Sequence, residues 1–337
     1  MNRKLTIILG VVFLSLLVIA GCGNSSEPSK GEASDESAEK TIQVASFLRT
    51  DHAYTRDIVP MWSDMVESEI DNVNIEWIGG PESIPEDNLF SAVQNGIVDV
   101  AFFFGSDSRD LVPATESLRL SQLTPAEERE VGYFDFLSEE YEEAGITYLG
   151  RWLGGFGYYF WTNNEVNSLA DFEGQKIRSN PFYLDIINEL GASPVNTSPG
   201  EVYTALERNL VDGFAFPLLG PREDGWTEVT SYLIDAEFAE QSAVILMNPD
   251  AFAKFTEEDQ TKLKEVTAEF EHSMISYFEE ANEKEMQAVT DSGVNVIELS
   301  DEDNERFHKL VNDVIWQDLE EFLSDEDYKT VQNLLVE

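Results

Sequence analysis

Apolar and polar positions change period along the chain in a way that alternates short strands with helices. Residues 41–47 (TIQVASF) alternate as a first strand, and 54–70 carry a helical pattern in which Pro60 marks a start or a kink. Residues 72–78 read as a second strand, 88–95 as a helix, and 98–104 as a buried strand. Residues 127–144 form an acidic helical pattern leading into a strand at 146–149. Residues 257–290 keep apolar positions such as Leu263, Val266, Phe270, Met274, Tyr277 and Phe278 at helical spacing, with no Gly or Pro between them. At 1.5 Å per residue such a helix runs on the order of 45–50 Å, longer than one lobe of a globular protein. A short strand at 294–299 and two acidic amphipathic helices finish the chain. The alternation of strand and helix predicts α/β layers.

A faint duplication organises the pattern. Residues 92–100 (AVQNGIVDV) and 205–213 (ALERNLVDG) each read as a helix end, then Gly96 or Asn209, then an apolar-Val-Asp step into a strand. Gly and Asn are the residues that accept the left-handed conformation ending a helix. Ser198-Pro199-Gly200-Glu201 is a helix start, with Ser198 as cap and Glu201 reaching back. Two βαβ-like halves of similar pattern predict two similar lobes.

The N-terminus speaks to compartment. Arg3 and Lys4 precede an almost wholly apolar run, 5–20, which is shorter than a spanning helix needs and suits a signal-peptide core. It ends in Ile19-Ala20-Gly21-Cys22, which resembles the lipobox of bacterial lipoproteins, with Cys22 as the lipidated residue. Two acyl chains give stable anchoring without a spanning helix. Cys22 is the one cysteine in the chain, so no intrachain disulfide is possible. Residues 23–40 are rich in Ser, Glu, Gly and Lys and read as a disordered tether with a mean reach of about 25 Å. The expected organisation is a signal peptide at 1–21 and the lipidated cysteine with its tether at 22–40. Lobe I then takes 41–155 plus about 244–283, and lobe II about 156–243 plus 284–337.

Composition narrows the partners. The 66 acidic residues outnumber the 21 basic ones, for a formal net charge of −45. Nucleic acid is excluded, because neutralising phosphates needs a basic surface. The excess fits a salty or alkaline exterior, where salt screens self-repulsion, and equally a habit of the lineage.

Four segments, NSLADFEGQKIR (167–178), LGASPV (190–195), EVYTALER (201–208) and VDG (211–213), together resemble the substrate-binding subunits of tripartite ATP-independent periplasmic (TRAP) transporters, dicarboxylate-receptor type. The resemblance covers most of residues 41–300. It implies a two-lobed periplasmic-binding-protein-like α/β fold of class II type, with a long helix spanning both lobes. It also implies hinge closure on a solute and delivery to a two-part membrane permease driven by an ion gradient. In that family the arginine ending the pattern L-x-D-x-x-G-x-K-[IL]-R clamps the substrate carboxylate, which here is Arg178. Many relatives carry a second arginine just after a Gly-Phe pair, whereas Gly155-Phe156 is followed here by Gly157. Many also carry an amide where this chain has Phe216.

The residues themselves give the remaining candidates. A guanidinium fork matches a carboxylate bidentately, so Arg178 suits an organic acid, although a salt bridge to a surface acid is the plain alternative. Glu82 lies in a Gly-Gly-Pro-Glu loop after a strand, placed like ligand loops in open α/β sheets. Among the dense aromatics between 152 and 226, Tyr158, Tyr183, Phe216 and Trp226 lie beside glycines and turns and are pocket candidates. By the resemblance, His52 falls in a loop that lines the cleft. No metal-ligand spacing joins His52, His272 and His308, and neither a metal nor a cofactor is expected. The loss of two polar partners at Gly157 and Phe216 favours a monocarboxylate ligand over a dicarboxylate. No catalytic residue is assigned: the chain has no Gly-x-Ser-x-Gly elbow, His-Glu-x-x-His helix or phosphate loop. The alternatives are the binding subunit of an ATP-driven importer, a carboxylate-based glycosidase and a surface adhesin.

Overall fold

The computed structural model describes residues 39–153, 157–240 and 243–336. The chain first lays down β1 (Lys40–Ser46), α1 (Ile58–Glu69), β2 (Val73–Gly79), α2 (Glu86–Gln94) and β3 (Val100–Phe104). Helices α3 (Pro125–Glu130) and α4 (Tyr133–Glu143) then lead into β4 (Thr147–Leu153). A second sheet takes β5 (Gly157–Thr162), β6 (Lys176–Ser179), α5 (Leu184–Glu189), β7 (Ser193–Asn196), α6 (Val202–Glu207), β8 (Gly213–Phe216) and β9 (Tyr232–Glu240). The chain returns for β10 (Ala243–Met247), α7 (Pro249–Phe252) and the long α8 (Glu257–Asp291). It ends with β11 (Asn295–Ile297), α9 (Asp301–Phe322) and α10 (Asp325–Val336).

The two sheets are built to one plan. The first has strand order β2-β1-β3-β10-β4, and the second β11-β9-β5-β8-β6-β7. In each, three parallel strands from a βαβαβ unit (β2-β1-β3 and β7-β6-β8) are followed by an antiparallel strand, β10 or β5, that arrives from the other sheet. The duplication read in the sequence is real at atomic detail. Gly96 and Asn209 both hold positive φ, 68° and 54°. Ile97 N–H and Leu210 N–H reach back to Ala92 and Ala205, each at 2.8 Å. The Asp99 carboxylate accepts the N–H of Gln43 at 2.9 Å, and the Asp212 carboxylate that of Lys176 at 2.8 Å. Each aspartate thus pins the start of its sheet's first strand beside the third.

Burial follows the period-2 alternation of strands. Val100 and Phe102 face α1 and α8 with Trp62, Val66 and Phe270, while Ala101 and Phe103 face α2 and α4 with Leu89, Val93 and Tyr141. The run VAFFF is apolar throughout because helices cover both faces. In the second sheet Phe160 and Ile234 share one core with α9, and Trp161 and Leu233 share another with α6. Helix α8, 35 residues and about 52 Å at 1.5 Å per residue, ties the lobes together. Leu263, Phe270, Met274 and Phe278 pack on the first sheet, and Met286 and Val289 on the second. Among the described residues no helix is long and apolar enough to cross a membrane.

Two helices differ from the expectation. The one expected over 54–70 starts at Ile58, after a series of turns, with Pro60 in its first turn, where a missing N–H costs nothing. The one expected over 127–144 is two helices. A Thr124–Glu127 capping box with Pro125 starts it earlier, and Gly132, at φ 86°, breaks it before α4.

Candidate functional site

Parallel strands end where their side chains can reach out of the sheet, and in both lobes those carboxyl ends face one cavity of about 1010 Å³. Its walls come from the segment after β1 (Phe47, Arg49, His52), the turn after β3 (Phe104, Asp107) and the start of α2 (Glu86, Phe90). From the second sheet come Arg178 and Asn180 at the end of β6, Asn196 and Thr197 at the end of β7, and Phe216 and Pro217 at the end of β8.

Arg178 is the best-held polar group in this wall. It sits at the third position of β6, opposite Val195 and Phe214 in the neighbouring strands, and is only 3% exposed. Its Nε donates to the Thr197 carbonyl at 3.0 Å and its Nη1 to the Tyr183 hydroxyl at 2.6 Å. The contrast with the other buried arginines is informative. Arg119 meets Glu116 at 3.1 Å and Asp318 at 2.9 Å, and Arg151 meets Glu128 at 2.8 Å. Among the described residues no carboxylate comes within 4.0 Å of Arg178. A charge taken out of water without a counter-charge is costly, so a fold that tolerates one at a cavity wall is suited to an anion arriving from outside. Beside it, the Thr197 hydroxyl oxygen is buried with no hydrogen-bond partner.

Aromatic rings line the same cavity or lie just behind its wall. Tyr158 lies 4.9 Å from Phe182 and 5.3 Å from Tyr183 between ring centroids, and Phe104 lies 5.6 Å from Phe182. Phe216 meets Trp226 edge-on at 5.0 Å. His52 is 7% exposed; its Nδ1 accepts the Tyr54 N–H at 3.2 Å. Burial pushes its pKa below the ordinary histidine value, so the ring is neutral with its proton on Nε2.

Of the residues singled out from the sequence, Arg178, Tyr158, Phe216, Trp226 and His52 line the cavity together. Tyr183 lies behind the wall, 1% exposed, and touches the site through Arg178. Glu82 is outside the wall: its carboxylate accepts the Gly80 N–H at 2.8 Å and shapes its own loop. Gly155, Phe156 and Cys22 lie outside the described residues. Gly157 can carry no side chain, because a Cβ there would stand 2.5 Å from the Phe238 carbonyl oxygen and 2.6 Å from that of Ala239.

Sequence reasoning missed Glu86 and Asp107, whose side chains hydrogen-bond each other in the wall. Both side chains are exposed toward the cavity, whose walls displace part of their water. That loss, followed by the nearness of Glu86, pushes Asp107 up to about 8, and loss of hydration raises Glu86 as well. The signal available was position: Asp107 follows the carboxyl end of a buried parallel strand, where ligand groups of open sheets gather. Among the described residues no cluster of His, Cys, Asp and Glu could hold a metal ion.

Two similar α/β lobes with a cavity at the facing strand ends, crossed twice by strands and once by a long helix, define a solute-binding receptor. Residues 44–321 match the family of bacterial extracellular solute-binding proteins, family 7, and the chain belongs to that family, the solute receptors of TRAP transporters. Such proteins are binding receptors rather than enzymes. The chain is similar to the ectoine-binding periplasmic protein TeaA of Halomonas elongata, 24% identical over 234 residues, 66% of this chain and 68% of that protein. A TRAP periplasmic solute-binding protein of Ochrobactrum anthropi, its own C-terminus in its ligand pocket, superposes with a TM-score of 0.77 at 21% identity, covering 88% of this chain and 95% of the other. A Bordetella pertussis extracytoplasmic solute receptor binding pyroglutamic acid superposes with a TM-score of 0.76 at 15% identity, covering 88% and 100%.

Proposed function

We propose that the chain captures a small organic acid by its carboxylate on Arg178, closes its lobes around it and delivers it to a two-part, ion-gradient-driven TRAP permease. The observation that carries this is a buried guanidinium at the cavity wall with no carboxylate within 4.0 Å among the described residues. The relatives' named ligands, ectoine and pyroglutamic acid, are small acids and support it. In this reading lobe I comprises 41–155 plus about 244–283, and lobe II about 156–243 plus 284–337. A lipid anchor at Cys22 holds the receptor at the outer face of the cell membrane.

A single carboxylate suits the wall better than two. Of the other wall arginines, Arg49 is 59% exposed at its side chain and is already engaged by Asp51 at 3.0 Å and Asp224 at 3.4 Å, and Arg109 lies over the Phe322 ring at 5.0 Å. A second buried carboxylate would lack a counter-charge, which disfavours dianions.

Thermal shift against a panel of carboxylates identifies the solute, since a ligand at one hundred times its Kd adds about 2.7 kcal/mol. Calorimetry on folded Arg178→Ala then decides the clamp: the carboxylate loses its partner and binding weakens by about 2–5 kcal/mol. Unchanged affinity would make Arg178 structural.

A further inference from the structure

Among the described residues every glutamate that is buried from solvent faces an arginine: Glu116 faces Arg119, Glu128 faces Arg151, Glu271 faces Arg129 and Glu285 faces Arg222. The acidic pair in the cavity, Glu86 and Asp107, is handled differently. The two carboxyls lie within hydrogen-bonding reach of each other, and no arginine or lysine lies within 4.0 Å of either among the described residues. They line the same cavity as Arg178, which has no carboxylate. Among the described residues the cavity therefore presents a guanidinium with no carboxylate within 4.0 Å on one side and an acid pair with no cation within 4.0 Å on the other.

We propose, resting on the capture of an acid by Arg178, that the solute is a zwitterion: its carboxylate meets Arg178, and its positively charged nitrogen meets the Glu86–Asp107 pair. The charges around the pair point the same way. Asp87 and Glu116 add negative potential at it, and Arg178 is the positive group that opposes them. The wall as a whole carries Glu86, Asp87, Asp107, Asp110 and Asp224 against Arg49, Arg109 and Arg178. A plain anion would satisfy the arginine and leave the acids with nothing but each other. Phe90 and Phe104 line the cavity near the pair, and aromatic rings attract alkylated ammonium and amidinium groups.

The linkage follows directly. In the empty site the closeness of the two carboxyls and their lost hydration strengthen the pair's hold on a proton. An incoming cation stabilises both as carboxylates, so a proton held there leaves to the buffer as the ligand enters, and charge and protons balance. An anion would have the opposite effect, strengthening the pair's hold on its proton.

The test uses ligands matched in shape and differing only in charge. Glycine betaine is compared with 3,3-dimethylbutanoate, and N,N-dimethylproline with 2,2-dimethylcyclopentanecarboxylate, alongside the carboxylate panel. Calorimetry at pH 7 in two buffers of different ionisation heat reads both affinity and proton exchange. The expected result is at least tenfold tighter binding of the zwitterions, with release of part of a proton. Glu86→Gln/Asp107→Asn should abolish the preference and the release while the anions bind as before or better. Anions that bind Arg178-dependently, and as tightly as their zwitterionic twins or with proton uptake, overturn the zwitterion and leave the capture reading standing. If no carboxylate of either kind binds, or binding ignores Arg178→Ala, both fall.

Discussion

Tyr183 and Arg178 form a relay from the core to the cavity: the tyrosine hydroxyl accepts from the guanidinium at 2.6 Å and donates to the Ala215 carbonyl at 2.8 Å. With the Thr197 carbonyl on Nε, two fixed acceptors hold the guanidinium plane before any ligand arrives. Such preorganisation lowers the ordering cost of binding.

Tyr183→Phe keeps the ring in its core and removes the relay. It leaves a buried N–H and a buried carbonyl without their partner, which costs about 1–3 kcal/mol. The expected outcome is a lower melting temperature together with several-fold weaker ligand binding, read by calorimetry on the folded variant. A variant that loses stability but keeps full affinity would show that Tyr183 supports the core and does not position Arg178.

His52 gives a stability signature in pH. Its folded pKa lies below the ordinary value of 6.5 because the ring is buried. Below that value the unfolded chain binds a proton that the folded ring refuses, so this contribution is present above about pH 6.5 and is lost as pH falls. The slope is at most about 1.4 kcal/mol per pH unit. Denaturant titrations of the parent and His52→Gln between pH 5.5 and 7.5 should show the parent losing stability relative to the variant on the acid side. Parallel curves would mean that the ring protonates freely in the folded state.

Closure is the third expectation. The lobes surround the cavity, and only contacts richer in the closed form can shift the population toward it. Small-angle scattering should show the molecule contracting when the solute identified by thermal shift is added. A profile that does not change at saturation argues for a rigid site.

The anchor is tested apart from the pocket. Cys22→Ser should move the protein from membranes to the soluble fraction with its ligand affinity intact. Retention of that variant on membranes would sink the lipid-anchor reading.

The sequence by itself determined the parts of the molecule that depend on near neighbours. The buried run VAFFF, the left-handed Gly96 and Asn209, and the Ser198–Glu201 capping box, closed at 2.8 Å, were all legible, as was the uninterrupted long helix. Each is fixed by the side chains of a few adjacent residues and by the steric limits of the backbone. Arg178 could be singled out by its place in the pattern shared with the TRAP receptors, but its partners could not be read. Thr197 lies 19 residues away, and whether one of 66 acidic residues would stand beside the guanidinium depends on how the lobes pack. The same holds for Glu86 and Asp107, two acids among many until α2 and the turn after β3 bring them within a hydrogen bond. Glu82 carried the stronger local signal, yet its loop turned the carboxylate onto its own backbone. Charge pairing acts across space and has no periodicity along the chain, so only the tertiary structure decided which charges were matched and which were left facing the cavity.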